Sequence, residues 1–84
     1  MIKPSGEVCY KAFMDLARAS GYDKNRDIGK IFGIILDAEG ENIGNILSTF
    51  RRIVVRAEYQ KKNITAKFAE EVIYDGVDIE LIGA

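Results

Sequence analysis

Eighty-four residues, 48% of them apolar, with twelve basic against thirteen acidic side chains, suffice for one hydrophobic core and leave no room for a second. With no histidine and a single cysteine, the chain lacks an imidazole base, a histidine-activated nucleophile, a thiolate zinc site and an internal disulfide; any catalysis would fall to carboxylates, Lys, Arg or Tyr. No apolar run reaches the roughly 20 residues that cross a membrane, and Met1-Ile2-Lys3-Pro4-Ser5-Gly6 does not read as a signal peptide, so a single cytoplasmic domain with no cofactor, metal or membrane role is expected.

In chain order, Cys9, Phe13, Leu16 and Ala17 recur at the spacing of one helix face and predict a helix over 5–20, capped by Ser5 and stopped by Gly21. Cys9, among Val8, Phe13 and Leu16, reads as a small buried hydrophobe. A polar loop, Asp23-Lys24-Asn25-Arg26, follows, and Asp27 is placed to cap the next helix. There Ile28, Ile31, Phe32 and Ile35 keep helical spacing, while Ile34 and Leu36 make the segment apolar on most sides, so it is expected to be buried. Its β-branched run would also suit a strand over 31–36. Gly29 and Gly33, four residues apart, share a face on which another backbone would come close.

The acidic stretch Asp37-Ala38-Glu39-Gly40-Glu41-Asn42 is a break, not a calcium loop: an EF-hand begun at Asp37 needs Gly and Glu where Asn42 and Ser48 stand. A long helix is expected from Asn42 to Lys62, because Ile43, Ile46, Leu47, Phe50, Ile53, Val54 and Ala57 hold one face. Asn63-Ile64-Thr65 matches a glycosylation sequon, a pattern too short to carry weight without a secretory context. A last helix opens at Thr65, with Phe68, Ala69, Val72 and Ile73 inward and Gly76 as its stop. Val77-Asp78-Ile79-Glu80-Leu81 then alternates as a short strand does; Asp75-Gly76 could alternatively turn a hairpin between 71–74 and 77–80. The expected fold is mainly α, a compact bundle of about four helices with a short extended C-terminal segment. The alternative is α+β with paired strands near 31–36 and 77–81.

Charge is balanced in total but not along the chain. Residues 43–62 hold five bases and one acid, whereas 63–84 hold one base and five acids. On the long helix, with Arg51 at zero, Lys62 falls at about 20°, Val55 at about 40°, Tyr59 at about 80°, Arg52 at about 100° and Arg56 at about 140°. Arg51, Arg52, Val55, Arg56, Tyr59 and Lys62 thus form one outward stripe, expected to bind a partner. Arg and Tyr suit protein interfaces, and Val55 gains from losing water, so a non-enzymatic adaptor, inhibitor or regulator is expected. Nucleic acid is the alternative occupant, with Arg on phosphate and Tyr59 on a base; the plain alternative is a solvated face paired with Glu70, Glu71 or Asp75. An enzyme reading would rest on Asp75, Asp78 and Glu80 beside Tyr74, which any half-exposed strand would also show. Self-association, most simply as a dimer, is expected of so small a core with an unpaired 77–81 strand.

Overall fold

Four segments carry apolar faces that no single helix can shelter, and the chain solves this by stacking them on one another. In the structure, a computed structural model, the backbone of residues 6–83 and the side chains of residues 6–74 are described. The elements are α1 (Gly6–Ala19), α2 (Ile28–Glu39), α3 (Ile43–Gln60) and α4 (Ala66–Gly83). Helix α3 packs against each of the others, and α2 also packs against α4. The mainly α reading therefore holds, with the 42–62 segment at its centre.

The core has an aromatic middle. Phe13 and Phe50, both fully buried, meet edge to face with centroids 4.8 Å apart. Phe32 leans on Phe13 at 5.2 Å and meets the Tyr10 ring edge to face at 5.1 Å. Around these rings, Ile31 and Ile35 from α2, Ile46 and Ile53 from α3, and Ala69, Val72 and Ile73 from α4 close the interior. Cys9 is fully buried among them, as its neighbours in sequence suggested.

Two expectations of extended structure are corrected. Residues 31–36 are helical: Ile31, Phe32 and Ile35 form the buried face of α2, while Ile28, Ile34 and Leu36 are only partly covered. Residues 77–81 are also helical, and α4 runs through Asp75-Gly76 to Gly83, so neither the extended C-terminal segment nor the hairpin forms. The alternating pattern misled because Ile73, Val77 and Leu81 are also four apart, which serves a helix equally well. Two short apolar runs could only have been strands by pairing with each other, and α2 finds its partners through a helical face.

Helix ends explain the loop geometry. At the end of α1, the Gly21 amide donates to the Arg18 carbonyl at 3.1 Å and the Tyr22 amide to the Ala17 carbonyl at 2.7 Å, around a left-handed Gly21 (φ 85°). This is the Schellman arrangement the glycine predicted. Helix α3 closes in the same way without glycine: Lys61 is left-handed (φ 56°, ψ 45°), its amide donates to Glu58 at 3.3 Å, and the Lys62 amide donates to Ala57 at 2.9 Å. The helix therefore ends at Gln60, two residues before the expected Lys62. Ser5 lies outside the described residues.

The α1–α2 and α3–α4 connections are tied together. Asn25 donates from Nδ2 to the Ile64 carbonyl at 2.9 Å and accepts the Asp27 amide on Oδ1 at 2.8 Å. Asp27 occupies the N-cap position of α2, yet its side chain makes no cap bond there; its Oδ2 accepts the Ala66 amide at 2.9 Å, at the start of α4. The expected local cap is in fact a long-range one. Thr65 completes that N-terminus by accepting the Phe68 amide at 3.0 Å. Between α2 and α3, the buried Thr49 hydroxyl donates to Glu39 Oε2 at 2.9 Å.

Candidate functional site on the outer face of α3

Helix α3 begins where Asn42, in an extended conformation, accepts the Asn45 amide on its side chain at 3.0 Å. From there Ile46, Thr49, Phe50, Ile53, Val54 and Ala57 point into the core. The opposite side is fixed by that burial, because residues a turn apart share a face. Arg51, Arg52, Val55 and Tyr59 are exposed and Arg56 is half-buried, so the five stripe residues within α3 all reach solvent. Lys62 is exposed too, but it lies beyond the helix end, with its amide closing the cap. Its position on the stripe, which assumed an unbroken helix, is lost.

Val55 is 65% exposed and Tyr59 is 85% exposed, the largest values among the exposed large apolar residues described. Among the described residues, the guanidinium groups beside them form no ion pair. The ion pairs there are Arg18 with Asp15 and with Asp23, and Arg26 with Asp27; none involves Arg51, Arg52, Arg56 or Lys62. In particular, no ion pair joins the stripe to Glu70 or Glu71, both exposed on the adjacent α4. The side chain of Asp75, the third possible partner, and those of Asp78 and Glu80 lie outside the described residues. The stripe thus combines apolar surface held in water with charges that form no ion pair among the described residues.

Two hollows lie elsewhere on the surface of the described residues. A hollow lined by Asn25, Arg26, Asp27, Asn63, Ile64 and Thr65 lies where the two loops meet, and the polar groups of Asn25, Asp27 and Thr65 already bond there to the backbone. A groove along α1 is lined by Glu7, Tyr10, Lys11, Met14, Asp15 and Arg18 with mixed charge, and Arg18 is held by Asp15 at 3.3 Å. No group of three or more His, Cys, Asp or Glu side chains able to hold a metal ion occurs among the described residues. Nor is any described helix long and apolar enough to cross a membrane.

Sequence reasoning passed over Tyr22. Placed in the polar loop, it stands near-perpendicular to the Phe50 ring with centroids 6.5 Å apart, and its hydroxyl reaches Glu58 Oε2 at 3.5 Å. Burial first, and then the Glu58 carboxylate, raise its pKa above the ordinary 10.0. The available signal was its position directly after Gly21, where a helix-closing motif often carries a hydrophobic contact back to the helix.

Comparison with known protein families, with curated proteins and with solved structures finds no match to this chain.

Proposed function

We propose that the chain is a small non-enzymatic interaction module, an adaptor, inhibitor or regulator, that docks on a protein through the Arg/Tyr/Val face of α3. The observation that carries this reading is the exposure of Val55 and Tyr59 beside three arginines that make no ion pair among the described residues. Held in water, Val55 and Tyr59 contribute little to the fold. Covered by a partner, a Val side chain gains on the order of 1.5–3 kcal/mol, and Tyr and Arg are among the residue types that dominate protein interfaces.

The arginines, in no ion pair among the described residues, also support a second reading, in which the stripe holds a nucleic acid strand through its phosphates with Tyr59 stacked on a base. An overall pI of about 5.4 and the presence of Val55, which gains nothing from phosphate, favour a protein.

Three double substitutions test the proposal in affinity capture with the intact chain: Arg51→Glu with Arg52→Glu, Val55→Ser with Tyr59→Ala, and Arg56→Glu with Lys62→Glu. For a protein partner, the Val55 and Tyr59 pair weakens capture at least as much as either charge reversal. For nucleic acid, the reversals dominate and binding falls steeply with salt. Capture unchanged by all three substitutions removes the α3 face as a site.

A further inference from the structure

Two exposed patches of this chain share one spacing with opposite charge. On α3, Arg51-Arg52 is followed at the fourth position by Val55; on α4, Glu70-Glu71 is followed at the fourth position by Tyr74. At about 100° per residue, each pattern sets the two charges about 100° apart with the apolar side chain between them, one turn along. All six side chains are exposed, Val55 by 65% and Tyr74 by 55%. Each helix also carries one charge of the other sign, Glu58 on α3 and Lys67 on α4.

The two patches do not satisfy each other within one chain. Helices α3 and α4 pack together through their apolar faces, and no ion pair crosses from Arg51, Arg52 or Arg56 to Glu70 or Glu71. On α3, Arg52 and Arg56 are four residues apart, a like-charge spacing that weakens a helix until an acid lies across it.

We propose that the occupant of the α3 face is the α4 face of a second copy of this chain, so that two copies form a two-fold dimer with the contact made twice. The inference rests on the reading of α3 as a protein-docking face and names its partner. A two-fold arrangement fits because residue i of one copy meets residue j of the other and the reverse, and neighbouring α3 and α4 offer both halves on each copy. Val55, Tyr59 and Tyr74 supply the apolar centre, while the arginines and glutamates at its edges fix which faces meet.

The test is a charge exchange read by sedimentation equilibrium, with circular dichroism confirming that each variant is folded. The parent should sediment at the mass of two chains and dissociate as salt rises. Arg51→Glu with Arg52→Glu, and separately Glu70→Arg with Glu71→Arg, should each weaken association by about tenfold or more, since like charges then oppose each other. The fourfold variant carrying both changes should regain the dimer. Should a charge variant fail to fold, Val55→Ser with Tyr74→Ser takes its place and should yield a single-chain mass. A parent with the mass of one chain, or a fourfold variant as weak as the doubles, overturns the dimer. A single-chain parent whose α3 variants still lose a captured protein overturns the dimer alone; a stable dimer indifferent to all α3 changes, with capture equally indifferent, overturns the docking face as well.

Discussion

The Asp27 carboxylate accepts the amide of Ala66, so the side chain at the start of one helix completes the first turn of another 39 residues further on. That hydrogen bond is the main cause holding the Asp27 pKa below its ordinary 3.8; partial burial opposes it, and the neighbouring Arg26 adds to it. A carboxyl whose pKa is lower in the folded than in the unfolded chain stabilises the fold above the unfolded value, and that contribution disappears as pH falls through the folded one. The parent should therefore lose this stabilisation below about pH 4. Asp27→Asn, which keeps an acceptor but not the charge, should have a lower urea midpoint at neutral pH and a smaller further loss on acidification. Parallel pH profiles for the two proteins would contradict this role.

Phe50 is fully buried and touches the rings of both Phe13 and Tyr22. Phe50→Ala should cost on the order of 3–5 kcal/mol, because it removes one partner of each aromatic contact and leaves a cavity at the centre of the core. Urea denaturation measures the loss.

Two substitutions should stabilise. Lys61 occupies a left-handed position that costs a side-chain-bearing residue about 1–2 kcal/mol, so Lys61→Gly should raise stability by a net of about 0.5–1 kcal/mol after the added freedom of the unfolded chain is counted. Gly33 lies within α2, and a Cβ placed there meets nothing within 4 Å among the described residues. Gly33→Ala should gain up to about 1 kcal/mol from helix propensity alone. Thermal or urea midpoints should shift upward for both.

The Tyr22 phenol titrates above its ordinary value, so the folded chain disfavours its ionisation. A raised pKa contributes stability that is present below the unfolded value, near 10, and lost as pH rises through the folded one. Tyr22→Phe should change neutral stability by no more than about 0.5–1 kcal/mol, since the hydroxyl contact to Glu58 is long and exposed, and should fall less steeply than the parent above about pH 10.

The first and third helices were legible because their inward residues recur at one period and their ends carry recognisable chemistry: Gly21 after α1, Asn42 before α3. The failures share a different cause. Val77–Leu81 is too short for period 2 to be told from period 3.6 once Ile73 is counted with it. Gly29 and Gly33 suggested a close backbone approach, but among the described residues a Cβ at either meets nothing within 4 Å. Asp27 was recognised as a cap, but which helix it serves depends on where Ala66 arrives, and no local pattern contains that. Of the stripe, the part within α3 followed from the buried face opposite it. Lys62 was misplaced because a left-handed lysine, unlike a glycine, leaves no mark of the helix end.

Cys9 gives the chain a clock of its own. Its sulfur is the only thiol and sits fully enclosed in the core, so a labelling reagent can reach it only when α1 lifts away or the whole domain opens. The two routes respond differently to denaturant, the first scarcely and the second steeply, because they expose different amounts of surface. Labelling rates across a urea series would time both events without an introduced probe, and any slowing as chain concentration rises would report how far a neighbouring copy restrains that opening.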